Sequence, residues 1–183
     1  LEGRYSAYVN GECNLDFSNP YIVLELEELK QKKDLQSVVL MLLMYHTTEF
    51  MYRGDRKQRM LCIIDEAWDL MSGKLGGTFI EAGYRRAAKY NGAFVSGTQS
   101  LEDYEKSPAA RAAKTNADTL MIMSQLGDVI EKADKNGWVD MTPHLKQTLK
   151  SVKTLDGQYA EVCVKTPSGY SVMRLLLDPF SRI

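Results

Sequence analysis

Apolar residues along the chain fall into short continuous runs, separated by longer stretches in which they recur every three or four positions. The run Tyr21-Ile22-Val23-Leu24-Glu25-Leu26 is β-rich and almost wholly apolar, which predicts a strand buried on both faces. A weaker strand candidate, residues 5–9, precedes the turn-prone Asn10-Gly11. Asp34 is placed to cap a long helix in which Leu35, Val38, Val39, Leu42, Leu43, His46 and Phe50 return at helical spacing. His46 lies on that apolar stripe and is expected in the core. A charged turn over residues 53–59 leads into Met60-Leu61-Cys62-Ile63-Ile64, which ends abruptly at Asp65-Glu66. Ser72-Gly73-Lys74-Leu75-Gly76-Gly77 reads as a flexible loop, and residues 78–90 as a helix stopped by Asn91-Gly92. Ala93-Phe94-Val95-Ser96 is the next strand, followed by Gly97-Thr98-Gln99-Ser100. Residues 101–116 read as helical with a break at Pro108, residues 118–123 as a further strand, and helices are expected near 127–136 and 142–152. The runs 159–165 and 170–177, parted by Thr166-Pro167-Ser168-Gly169, predict an antiparallel hairpin.

Four apolar strands alternating with helices predict an α/β fold, with a largely parallel sheet flanked by helices on both faces and a C-terminal antiparallel hairpin. No repeat, low-complexity tract or linker breaks the pattern, so residues 1–183 read as a single domain.

Composition narrows the class without naming a chemistry. A chain of 183 residues can bury a proper core, and 44% hydrophobic with 26% charged residues suits a soluble globular domain. Its longest apolar stretch, residues 38–45, is far short of the roughly 20 residues that span a bilayer. No basic-then-apolar segment reads as a signal peptide. A net charge of −1 gives no overall pull toward nucleic acid or acidic lipid. Cys13, Cys62 and Cys163 are far apart and form no CxxC pair, which suits a reducing compartment and a cytoplasmic location. With only His46 and His144 beside them, no zinc site is expected. The methionines and Trp68 read as packing residues, and so does Trp138, whose alternative beside Gly137 is an exposed contact surface.

The candidate chemistry is concentrated at two strand ends. An apolar strand that delivers Asp65 and Glu66 at its carboxyl end places two acids where ligands bind in open α/β folds. Asp65 would meet a magnesium ion through water, and Glu66 would orient and polarise an attacking water. The plainer alternative is that both acids cap the following helix. Gln99 lies at the equivalent edge of the next strand, where one amide can serve both a γ-phosphate oxygen and the lytic water; a loop or cap role is its alternative. Between the two strands, Arg85, Arg86 and Lys89 form a cationic helix patch, suited to a finger reaching a neighbouring subunit's nucleotide or to simple solvation.

The runs Cys62-Ile63-Ile64-Asp65-Glu66-Ala67-Trp68, Arg85-Arg86-Ala87-Ala88-Lys89-Tyr90-Asn91-Gly92 and Gly97-Thr98-Gln99-Ser100 resemble the conjugation ATPases of type IV secretion systems. Leu175-Leu176-Leu177-Asp178-Pro179-Phe180 is similar to that family's late strand, and the likeness extends from about Tyr21 to Phe180. The resemblance implies a RecA-like fold of the HerA/FtsK type, ATP and magnesium as cofactors, and a ring-forming, hexameric parent. It places that parent at the cytoplasmic face of the bacterial inner membrane, working with other secretion components in pilus assembly and DNA transfer. By the same resemblance Asp65 and Glu66 match the Walker B pair, Glu66 and Gln99 are catalytic, and Arg85 or Arg86 is the finger. It leaves direct nucleic-acid contact open.

One part of the family pattern is missing. No GxxxxGK[ST] phosphate loop occurs, and the nearest run, residues 72–78, carries Leu75 where Ser or Thr must meet magnesium. The resemblance puts that loop upstream of residue 1. The expectation is therefore a partial RecA-like sheet without its phosphate-loop strand, inactive and without bound cofactor when alone, and prone to self-association through an uncovered edge or face. A DNA-pumping coupling protein of the same superfamily, or a non-catalytic docking module, are the alternatives.

Overall fold

The structure is a computed structural model that describes residues 6, 10–11, 19–26, 29, 31–53, 57–176 and 178. It divides into two compact units, residues 1–50 and 51–183. All of the candidate strand at 5–9 but residue 6, together with Cys13, part of the charged turn and most of the stretch 177–183, lies outside the described residues.

In the first unit, residues 21–26 are not a strand. They form no ladder pairing among the described residues, and Tyr21 and Val23 stand open to solvent. A strand apolar on both faces needs a hydrogen-bonding neighbour for its backbone, and none of the described residues pairs with this one. Helix α1 (Lys33–Arg53) forms as expected, with Asp34 in its first turn. Its packing differs from the expected stripe. Leu35 is buried, but Val38, Met41, Leu42, Tyr45 and Phe50 are exposed, and so is His46, which is no core residue. The uninterrupted apolar stretch 38–45 surrounds the helix, so no single face can collect it.

The second unit holds two sheets. Strands β1 (Met60–Ile64) and β2 (Gly92–Ser96) are parallel, in register from Met60 with Gly92 to Ile64 with Ser96. Their crossover is built from α2 (Ala67–Ser72), α3 (Lys74–Arg86) and a 3-10 turn (Ala87–Tyr90), which Asn91 ends in a left-handed conformation. A second 3-10 turn (Leu101–Glu105) and α4 (Pro108–Asn116) follow, the break lying at Ser107, whose Oγ accepts from the Ala110 amide. Strand β3 (Leu120–Ile122), helices α5 (Gly127–Lys135) and α6 (Pro143–Ser151), and strands β4 (Thr154–Leu155), β5 (Tyr159–Thr166) and β6 (Gly169–Leu175) complete it.

The expectation of one largely parallel sheet is corrected here. β3 leaves the parallel pair and lies antiparallel on β5, Leu120 opposite Lys165 and Ile122 opposite Cys163. The eight residues of β5 present two edges: the predicted hairpin with β6 takes one, and β3 with the short β4 shares the other. The fold is α/β, with a small parallel sheet beside an antiparallel one.

Within the second unit the described helices pack on one face of the parallel pair. Met60, Cys62 and Ile64 alternate with Leu61 and Ile63, which are 60% and 67% exposed, and Val95 is exposed on the same open face. The covered side centres on Ala67, Met71, Ile80, Tyr104, Ala110 and Ala113. A separate cluster around Ile122, Ile130, Leu145, Leu149 and Cys163 joins α5 and α6 to the antiparallel sheet, with Trp138 packed against it. Trp68, expected to pack, is 40% exposed. Met71 is buried, but Met41, Met121, Met123 and Met173 are exposed, so the packing reading of the methionines is only partly met.

The expected loop at residues 72–77 is helical from Lys74 onward. Its glycines serve close approach. A Cβ on Gly76 would stand 2.6 Å from the Leu70 carbonyl oxygen, and one on Gly83 would stand 2.4 Å from the Phe94 ring. Glycine density here lets α3 press against α2 and β2, and it does not make a phosphate cradle.

Candidate functional site

The parallel register brings the carboxyl ends of β1 and β2 side by side, so that whatever follows Ile64 faces whatever follows Ser96. Two backbone bonds extend the pairing past the strands. Gly97 donates its amide to the Ile64 carbonyl, and the Ala67 amide donates to the Gly97 carbonyl, both at 2.9 Å. Asp65 and Glu66 are thereby held in a tight turn against Gly97.

Within that turn the two acids take different positions. Asp65 Oδ1 accepts from the Glu66 amide at 2.9 Å and sits where a Cβ on Gly97 would lie 3.2 Å away. Glu66 has φ 47° and ψ 41°, a left-handed conformation that non-glycine residues rarely adopt. It occupies the N-cap position of α2 but makes no side-chain cap bond, so the helix-capping alternative does not account for its carboxylate. Instead Glu66 Oε1 accepts from Gln99 Nε2 at 3.3 Å, across the gap between the strand ends. Asp65, Glu66 and Gln99 are all exposed.

The β2 side is braced from below. Thr98 Oγ1 donates to the Ser100 carbonyl, and Ser100 opens the next turn as one half of a capping box with Asp103. Ser96 is engaged by two tyrosines. Tyr84 Oη lies 2.7 Å from Ser96 Oγ, and Tyr104 Oη lies 3.2 Å from the same oxygen while donating to the Ser96 carbonyl at 2.7 Å. Burial raises the Tyr84 hydroxyl pKa, partly opposed by its bond to Ser96. Sequence reasoning missed both tyrosines, because a hydroxyl on a helix face carries no motif.

Arg85 and Arg86 stand apart from the three residues. They occupy the last turn of α3, which leads into the beginning of β2 and not its end. Arg85 Nη2 pairs with Glu81 Oε1 at 3.0 Å, and Arg86 Nη1 donates to Tyr52 Oη at 3.2 Å. Both side chains are exposed. The structure thus joins Asp65, Glu66 and Gln99 but does not bring either arginine to them within the chain.

The donor set fits a magnesium ion only in part. An exposed carboxylate suits this hard cation, which keeps several waters and takes one or two carboxylates beside substrate phosphates. Among the described residues no group of three or more His, Cys, Asp or Glu is arranged to hold a metal ion. An ion at Asp65 would depend on phosphate oxygens and water for the rest of its shell.

Known proteins resemble this chain in sequence and in fold. A family model described as the TraG P-loop domain matches residues 1–174. Protein TraC of Escherichia coli (strain K12) is 31% identical over 187 aligned residues, covering 98% of this chain and 21% of that protein. The structure of VirB4 of Thermoanaerobacter pseudethanolicus superposes with a TM-score of 0.61 at 18% identity, over 86% of this chain and 41% of that one. At that identity the likeness concerns the fold alone. The chain spans about a fifth of the length of the curated relative it matches. By the extent of the family match, the chain belongs to the TraG P-loop domain family.

Proposed function

We propose that the chain is the Walker B and sensor portion of a RecA-like ATPase domain that energises type IV secretion, in pilus assembly and conjugative DNA transfer. The observation that carries this reading is the Gln99–Glu66 hydrogen bond across the ends of two parallel strands, with Asp65 beside it. Glu66 accepts a proton of the attacking water and orients it toward phosphorus. Gln99, already donating to Glu66, holds that carboxylate at the sheet edge and keeps its amide oxygen to accept from the water. Asp65 would hold magnesium through water, and the ion supplies neutralisation of phosphate charge. Arg85 and Arg86 are presented outward on α3, which suits a finger acting on a neighbouring subunit of a hexameric ring. These 183 residues contain no GxxxxGK[ST] run, so the chain alone should show no measurable ATP turnover; robust magnesium-dependent hydrolysis by it refutes that expectation. The setting is the cytoplasmic face of the inner membrane among other secretion components. Among the described residues no helix is long and apolar enough to cross a membrane.

The open face bearing Leu61, Ile63 and Val95 favours a second role, self-association or docking. Sedimentation of the isolated chain should show species larger than a monomer at high concentration; a strict monomer refutes self-association. For the ATPase reading, Glu66→Gln in the full-length protein should retain nucleotide binding and lose turnover by about 10²–10⁴-fold. Turnover near the wild-type rate would remove Glu66 from the mechanism. Alanine variants of Arg85 and Arg86, each mixed with a Walker-defective protein, test action in trans. Mixed rings that recover no activity count against the finger.

A further inference from the structure

We propose that Tyr84, Ser96 and Tyr104 form a hydroxyl tether that positions the Gln99–Glu66 pair, anchored at one end to the arginine-bearing helix α3. The inference rests on the roles given above to Glu66 and Gln99. Each hydroxyl has one proton, and this fixes the direction of the chain. Tyr104 donates to the Ser96 carbonyl, so its contact with Ser96 Oγ uses the serine proton. Ser96 Oγ must then accept from Tyr84. The order is Tyr84 to Ser96 Oγ to Tyr104 to the Ser96 carbonyl, and every proton is committed.

This chain grips one peptide plane. The Ser96 carbonyl and the Gly97 amide belong to the same peptide unit. Tyr104 holds its oxygen, and its N–H donates to the Ile64 carbonyl. The next carbonyl, on Gly97, receives the Ala67 amide at the start of α2, immediately after Glu66. Gln99 follows two residues beyond Gly97, so the plane sets the take-off of the segment that carries it. The far end of the tether, Tyr84, directly precedes Arg85 and Arg86 on α3. A displacement of that helix's last turn therefore pulls on Ser96 before it reaches Gln99.

The positioning residues are tested in the full-length protein by steady-state ATP hydrolysis. Tyr104→Phe keeps the ring and removes the donor, and Ser96→Ala is the second variant should the first lose fold. Each should lower kcat about tenfold or more while KM stays within roughly threefold. The drop should vanish in a Gln99→Ala background, because the tether acts through Gln99, whereas a general loss of structure would persist there. A kcat within about twofold of wild type, or an equal drop with and without Gln99, overturns the proposal. A second measurement needs no turnover: amide exchange at Gly97 and Ala67 should quicken about tenfold in Tyr104→Phe. Unchanged exchange also overturns it. If exchange quickens but Glu66→Gln hydrolyses ATP normally, the tether stands and the ATPase assignment of Glu66 fails.

Discussion

Replacing Glu66 by glycine and, separately, by alanine isolates the cost of its backbone conformation. Both variants lose the carboxylate and its bond from Gln99, so that loss cancels between them. What remains is the preference of each residue for φ 47°, ψ 41°. At an ordinary position glycine is less stable than alanine by about 0.5–1 kcal/mol, because it gives up more freedom on folding. In the left-handed region the alanine Cβ crowds the following carbonyl, at a cost of roughly 1–2 kcal/mol. The second effect exceeds the first, so the glycine variant should be the more stable by about 0.5–1 kcal/mol. For a chain of this size that is a melting difference of about 1–4 °C, readable by scanning calorimetry or urea titration. An alanine variant as stable as the glycine one, or more so, refutes the left-handed placement of Glu66. The wild type holds a glutamate at this costly position, a conflict of local preference that clusters where a side chain must be aimed.

Gly76→Ala should destabilise by about 1–3 kcal/mol in urea titration, although helix propensity alone favours alanine by about 1 kcal/mol, because its Cβ meets the Leu70 carbonyl oxygen. Glu131 is held by Lys146 and then by Lys150, which pull its pKa from 4.5 to about 2. A depressed carboxylate contributes stability that is full above 4.5 and is lost as pH falls toward 2, so Glu131→Gln should flatten the pH–stability curve in that window; an unchanged slope refutes it. Burial pushes the Cys62 thiol up to about 11, leaving about a thousandth of it as thiolate at a pH of about 8. Iodoacetamide should label the Cys62 peptide slowly in the native chain and quickly after unfolding, as read by mass spectrometry.

The meeting of Asp65 and Glu66 with Gln99 was legible because its signals are local. A run of apolar residues that stops at two acids places them at a strand end, and the second run does the same for Gln99. Parallel pairing then brings the two ends together. Longer-range choices left no such mark. Nothing in Leu120–Ile122 specifies an antiparallel partner some forty positions away, and three residues are too few for a pattern. The glycines at 76 and 77 are equally compatible with a mobile loop and with helices in close contact; only the neighbours Leu70 and Ala109 decide between them. Residues 21–26 have the composition of a buried strand, but strand formation depends on a partner as well as composition. Tyr84 and Tyr104 look like ordinary aromatic packing residues until the fold sets their hydroxyls on Ser96.

The two sheets of the second unit also keep different time. β5 and β6 are joined through Pro167 and Ser168, so their pairing can start from a single tight turn. Every β1 residue, by contrast, meets a β2 partner thirty-two positions further along, Met60 with Gly92 through Ile64 with Ser96. That closure must wait until α2 and α3 have reversed the chain, and distant contacts of this kind form slowly. Glu66 and Gln99 are therefore expected to meet only after the hairpin has formed, an order that pulsed amide exchange during refolding would read. A nucleotide that touched both strand ends would bind only the finished crossover, and by doing so would slow its reopening.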